Sequence, residues 1–540
     1  MQSSLAARSP RPATRTLALA AAAVTGAALL SLPSTSTQAA SRAPLTDRIS
    51  VATGGQHPGS GNNGGGRGTE RRLLSDNGRF VVFEGSAPFV RGQVPLNWQI
   101  MVRDRKLGTT VAVSRNKSGA LANGRSTDPA ISANGRWIVF ESAATNLVAG
   151  DTNGQTDVFR HDTLTGTTTL ISRRADGGLA TRSSGPASLS ANGRYVSFIS
   201  YAGGLAPGDT DDVSQAYLHD TTTGITELIS VKASGIGSSA LTSTSVSNDG
   251  QRVLFESLDA DVAPGAHNLA VDVFLRDRAT DTTRMVAGNQ AGADRASMSA
   301  DGRYVVYQSK DPDIDPADTN TRADVFVVDL ATDQHTLVSK SSAGVVGDVE
   351  SKYGGISRDG RYVVFESKST NLVPGDTNGQ ADVFRHDLVT GQTVRVSVRG
   401  NGAQEPLGGI FPSISGDGHH VVFESYARDL TPHPTGTWRQ VFVRDLSGSW
   451  PAMVAKVGKL PKQVKKAKKI KVKTSGIGAG EKLTVVWKAK GKTPGKKKIT
   501  TAVATKGDRI TLKTGPKAGK YAVTVRYAGL VLRKQVVRTR

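Results

Sequence analysis

The sequence predicts an all-β fold, a seven-bladed β-propeller closed by its own N-terminal strand and followed by a small basic β-sandwich domain. Three observations carry that expectation. A ten-residue phrase occurs almost twice, GDTNGQTDVF at Gly150–Phe159 and GDTNGQADVF at Gly375–Phe384. Each copy follows the same hairpin signal, SANGRWIVFES at Ser132–Ser142 and SRDGRYVVFES at Ser357–Ser367. The hairpin glycine recurs at Gly78, Gly135, Gly193, Gly250, Gly302, Gly360 and Gly418, at spacings of 57, 58, 57, 52, 58 and 58 residues. A fixed period of this kind marks a repeat architecture, in which each unit buries its faces against its neighbours.

The second unit shows the elements in order. Pro129–Ser132 reads as a short strand, and Asn134-Gly135 as a two-residue turn whose central positions both need φ > 0. Arg136–Glu141 (RWIVFE) is β-branched and aromatic, the composition of a packed strand. A longer loop through Gly150 leads to a third strand, Asp157–Asp162 (DVFRHD). The turn Thr165-Gly166 then introduces a fourth, Thr168–Ser172 (TTLIS). Four antiparallel strands repeated radially is the propeller's answer to exposed sheet edges. The last unit has three such strands, Phe411–Ser415, His420–Ser425 and Gln440–Asp445, and no clear fourth. The absent strand is expected at the other end of the chain, as Asp47–Ala52 (DRISVA), which would close the ring.

The S-x-D/N-G-R-Y-V-V-F phrase followed by D-V-F-x-x-D resembles the WD40-like propeller repeat of TolB-type proteins, over roughly residues 47–446. The resemblance implies the fold. It leaves function open, because such propellers serve as binding platforms, enzyme scaffolds and accessory domains alike.

Residues 1–40 read as a secretory signal: Arg8, Arg11 and Arg15 precede the apolar run Leu17–Leu32, and small residues lead to Ala39 and Ala40. A secreted or cell-surface location is therefore expected. No other segment is apolar enough to span a bilayer, and the chain has no cysteine, so disulfides contribute nothing. The propeller is assigned to 41–450, a lysine-rich linker to 451–475 and an immunoglobulin-like β-domain to 476–540. Charge divides along the same line. Of 68 basic and 46 acidic residues, 26 basic and 2 acidic fall in 451–540, leaving 42 and 44 in the first 450. The chain's net charge of +22 thus belongs to its last ninety residues. Such a field attracts polyanions, outside the cell an anionic wall polymer or acidic polysaccharide. Specific nucleic-acid recognition is not expected, since Trp487, Tyr521 and Tyr527 are the only Trp or Tyr residues there for stacking.

In a propeller, loops joining strands two and three, and strand four to the next blade, share one face. Here they are the long ones, and long loops on a rigid scaffold carry binding residues. That face holds Asp151, Asn153 and Asp157, repeated as Asp376, Asn378 and Asp382, and in blade five as Asp318, Asn320 and Asp324. Oxygen ligands at this spacing around a bend suit a calcium ion (Ca2+). The competing reading is that Asp and Asn bond their own backbone in turns. Gln99 and Gln440 stand where blades one and seven should have the final Asp. His161, His219 and His386 recur in one register before Asp162, Asp220 and Asp387, which argues for structure, because catalysis needs convergent geometry. No catalytic residue is assigned. The expectation is an exported, non-enzymatic binding or scaffold protein with a protein or carbohydrate ligand on the long-loop face and a basic tether. The alternative is a polysaccharide-active hydrolase or lyase using loop carboxylates.

Overall fold

The structure, a computed structural model, describes residues 45–53, 63–64, 72–86, 89, 97–209, 212–232, 238–239, 243–266, 270–288, 291–431 and 438–447, and beyond these the backbone of strands between 456 and 539. Residues 1–40, expected to be a secretory signal, lie outside the described residues. Seven four-stranded antiparallel sheets follow one another along the chain. In blade two the strands are Ser126–Ile131, Trp137–Ser142, Asp157–Asp162 and Thr167–Leu170, paired in that order. Equivalent sets occupy 63–112 (blade one), 184–228 (three), 244–287 (four), 293–337 (five) and 351–395 (six).

Blade seven is completed across the termini. Ile410–Ile414, His420–Ser425 and Gln440–Asp445 are joined by Leu45–Arg48, with Leu45 opposite Asp445 and Arg48 opposite Phe442. The expected closure is present, but as Leu45–Arg48, starting two residues and ending four residues before the Asp47–Ala52 that the sequence pattern suggests. The reason is a turn: the Val51 N–H bonds the Ile49 carbonyl at 2.7 Å and takes the chain off the ladder. The same bond ends the outer strands of other blades, as in Arg173 to Ile171 and Val398 to Val396.

The repeat phrase is explained contact by contact. In each hairpin the serine hydroxyl donates to the Asn or Asp two residues on and accepts the N–H five residues on, as in Ser132 with Asn134 at 2.9 Å and Trp137 at 2.9 Å. In six of the seven hairpins the turn glycine then rests on an aromatic ring of the preceding blade; Gly302 rests on Ser247 and Arg252 instead. A Cβ on Gly135 would lie 2.2 Å from the Phe80 ring, and one on Gly78 would lie 2.2 Å from His420, so the series runs round the ring and across its seam. Within six blades, aromatic residues of strands two and three stack at 5.5 to 5.9 Å. Blade one has Met101 at that position, and Phe89 folds back on Phe83 at 5.2 Å instead.

The C-terminal region is described by backbone only. Lys469–Ser475 pairs with Arg509–Lys513, and Lys482–Ala489 lies between Lys498–Thr505 and Gly519–Tyr527. Leu530–Thr539 pairs with Gly519–Tyr527. The side-chain packing that would define a sandwich lies outside the described residues. Among the described residues, no helix is long and apolar enough to cross a membrane.

Candidate functional site

The Asp-x-Asn loops, in which Thr321 of blade five stands where blades two and six have Gly154 and Gly379, fold by satisfying their own polar groups. Asn153 Oδ1 accepts the Gln155 N–H, while its Nδ2 donates to Asp157 Oδ2 at 2.8 Å and to the Ala180 carbonyl at 3.1 Å. Asn378 repeats this with Gln380, Asp382 and Glu405, and Asn320 with Arg322, Asp324 and Gly347. Each asparagine therefore ties the loop to the crossing segment that leads to the next blade. Its side-chain oxygen already has a donor. The aspartate at the start of strand three accepts from a serine on strand four, Asp157 from Ser172 and Asp324 from Ser339, both at 2.6 Å. Gln99 and Gln440 accept the same bond from Ser114 and Ser50, so a neutral amide can fill that part of the role.

The first aspartate of each loop is different. Asp151, Asp318 and Asp376 are buried, each close enough to affect its strand-three aspartate electrostatically. Burial raises the pKa of Asp151, Asp157, Asp318 and Asp382, and takes Asp324 to about 6. Among the described residues, no group of three or more His, Asp or Glu side chains is gathered as a metal cluster. Any ion here would rest on two carboxylates plus backbone and water oxygens. In blade three, Asp209 instead accepts from the Tyr217 hydroxyl at 2.8 Å.

The three repeated histidines are structural. His161, His219 and His386 each contact a threonine of the outer strand through Nδ1, at 3.0, 2.9 and 2.8 Å. The aspartates that follow them are held by the hairpin arginines, Arg136 on Asp162 and Arg361 on Asp387 through paired N–H bonds.

A second set of residues emerges only in three dimensions. The innermost strands of blades two, five, six and seven each carry a bulge, and the bulged residue has a left-handed backbone: Asp128 (φ +57°), Arg295 (+55°), Tyr353 (+58°) and Phe411 (+52°). Such a conformation costs a non-glycine residue about 1–2 kcal/mol. It recurs because the preceding blade supplies an acceptor. Glu84 takes the Asp128 N–H at 2.7 Å, Gln308 that of Tyr353 at 3.3 Å and Glu366 that of Phe411 at 3.0 Å; in blade five Glu256 takes the next N–H, of Ala296, at 3.0 Å. The glutamate of the repeated F-E-S phrase is thus a staple between blades.

The staples aim the bulged side chains along the ring. The Arg295 guanidinium lies 4.4 Å from the centre of the Tyr353 ring, and Tyr353 meets Phe411 edge-on at 5.0 Å, so three blades share one stack. Beside it is a cavity of about 360 Å³ whose lining includes Asp294, Gln308, Lys310, Glu350 and Lys352. Burial raises the Asp294 pKa; the Lys352 ammonium, 2.7 Å from Glu350, lowers that of Glu350. The exposed residue just after strand two varies round the same face: Tyr201, Leu258 and Tyr426 in blades three, four and seven, Lys310 and Lys368 in five and six. The sequence signal for all of this was variation at fixed offsets from invariant phrases.

No family model matches the chain, and no curated protein matches it. Among solved structures it is similar to TolB from Acinetobacter baumannii, at 14% identity and a TM-score of 0.34, over 68% of this chain and 80% of that one. It is also similar to dipeptidyl peptidase 4 from Porphyromonas gingivalis, at 11% identity and a TM-score of 0.38, over 87% of this chain and 60% of that one.

Proposed function

We propose that the chain is an exported binding platform: the long-loop face of the propeller takes a protein or carbohydrate ligand, and the basic C-terminal region holds the molecule at an anionic polymer. The observation that carries this reading is the Arg295–Tyr353–Phe411 stack beside the mixed-charge cavity. Left-handed bulges are retained at a cost in stability where a side chain has to be re-aimed. Aromatic faces beside a few charged groups are how a pocket combines apolar contact with orientation. Within each blade the framework positions recur, and the exposed positions next to the bulges differ, which is where a repeat protein sets its specificity.

The test is binding of the intact protein to panels of immobilised peptides and wall-type glycans, against Tyr353→Ala/Phe411→Ala. Expected is a ligand on one panel whose affinity falls at least about tenfold in the double variant, a loss of roughly 1.4 kcal/mol, with the melting midpoint little changed. Equal binding by both proteins, or none by the native protein, would count against the reading.

One observation favours a second, hydrolytic reading. Asp294 and Glu350 line one cavity with pKa values displaced in opposite directions, the arrangement that separates a general acid from a carboxylate base. Hydrolysis of an anionic polysaccharide that is lost in both Asp294→Asn and Glu350→Gln would support it.

A further inference from the structure

The three Asp-x-Asn loops solve one electrostatic problem in different ways. In blade six, Arg395 Nη1 lies 3.1 Å from Asp376 and 3.6 Å from Asp382, so a guanidinium sits between the two buried carboxylates. Arg395 faces Phe384 across the sheet; the residues in that register in blades two and five are Leu170, opposite Phe159, and Leu337, opposite Phe326. Blade two keeps Arg173 within electrostatic range of both Asp151 and Asp157. Blade five has Lys340 at the Arg173 position, but no basic group acts on Asp318 or Asp324 among the described residues; Lys340 acts instead on His386 of blade six. The charged neighbours that act on its pair are all acidic, Asp311 and Asp315 on Asp318, and Asp318 on Asp324.

Burial makes this imbalance costly. Asp318 is 5% exposed and Asp324 fully buried. Among the described residues, Asp318 Oδ2 is buried and has no hydrogen-bond donor, while its Oδ1 takes the Asn320 N–H. A buried carboxylate oxygen with no donor, beside a second carboxylate, is stable only when a cation shares the space or when one group gives up its charge. The neighbouring blade shows which cation position the fold provides.

We propose that the blade-five loop binds one hard divalent cation, calcium by preference, between Asp318 and Asp324, at the place that the Arg395 guanidinium fills in blade six. Oxygen donors suit calcium, and the remaining positions of its shell are open to backbone carbonyls and water. The site lies on the same long-loop face but shares no residue with the Arg295–Tyr353–Phe411 stack or with the lining of its cavity, so each stands or falls alone.

The experiment uses the full chain dialysed against chelator and then titrated with calcium chloride, with bound ion per chain and melting midpoint as readouts. The native protein is expected to bind one ion and to melt about 3 °C or more higher at saturation. Asp318→Asn, which keeps the Oδ1 acceptor, should bind none and show no calcium-dependent shift. Arg395→Leu should gain a second ion. Leu337→Arg, if it folds, should lose the ion while keeping the calcium-saturated midpoint. A native protein that takes up no calcium overturns the assignment, and so does an ion retained in Asp318→Asn but lost in Asp151→Asn, which would place it in blade two.

Discussion

Gly135 has two separate reasons to be glycine, and they can be told apart by substitution. Its φ is +72°, and a Cβ would sit 2.2 Å from the Phe80 ring of the previous blade. Gly166, in the other hairpin of the same blade, has φ +73° but nothing within 4 Å of a Cβ. Gly166→Ala should therefore lose only the backbone contribution, about 1–2 kcal/mol. Gly135→Ala should lose distinctly more, because a ring on a neighbouring blade has to move. Equal losses in urea titrations of the two variants would show that the close approach is unimportant. Buried histidine makes a pH prediction. Burial lowers the His386 pKa to about 4 from its ordinary 6.5. The unfolded chain then binds more protons between those values, so this contribution is fully present above about pH 6.5 and is lost as pH falls through about 4, at up to ~1.4 kcal/mol for each pH unit crossed. Melting midpoints should drop over that interval, and His386→Gln should flatten part of the drop. A profile identical in the two proteins would assign the acid sensitivity elsewhere.

At the scale of elements, the strand Leu45–Arg48 does more than cover an edge. The Thr46 hydroxyl donates to the Val398 carbonyl of blade six at 2.8 Å, and Arg444 donates to Thr46 at 3.0 Å. Ser50 donates to Gln440 at 2.7 Å, the bond that Ser172 makes to Asp157 in blade two. Removing residues 41–53 should expose the Gln440–Asp445 edge, lower the melting midpoint by several degrees and promote self-association through that edge. An unchanged midpoint in a monomeric deletion variant would mean that the ring holds without its seam. The glutamate staples belong to this scale too. F-E-S was legible as a repeated phrase, but its glutamate reads on a strand as an ordinary alternating polar residue. Its meaning depends on a backbone N–H some 45 residues further on, in Phe411 for Glu366, which no local pattern displays.

For the whole molecule, the charge division makes the sharpest prediction. Residues 451–540 hold all of the positive excess, so the intact protein should sediment with heparin or an anionic wall polymer at low salt and release it as salt rises. A chain ended at residue 447 should remain in solution throughout; binding that ignores salt, or persists in the shorter chain, would remove the tethering role. The sequence alone determined the blade number, the strand pattern and the seam. Those follow from local chemistry repeated seven times: a turn pair that needs positive φ, a serine that bonds two residues on, and alternation that suits a pleated sheet. The recurrence of the histidines in one register was legible for the same reason, and each contacts a threonine of its own blade's outer strand. Tertiary structure alone decided what lies between blades. The stack of Arg295, Tyr353 and Phe411 joins residues 58 apart, and a carboxylate or amide of the preceding blade accepts an N–H of each bulge, that of Tyr353, of Phe411 and of Ala296 beside Arg295. It also separated the three Asp loops, nearly identical as text, by what faces them: a guanidinium at Arg395, a leucine at Leu337. Charge compensation in a buried site depends on distance across the sheet, and spacing along the chain does not record that distance.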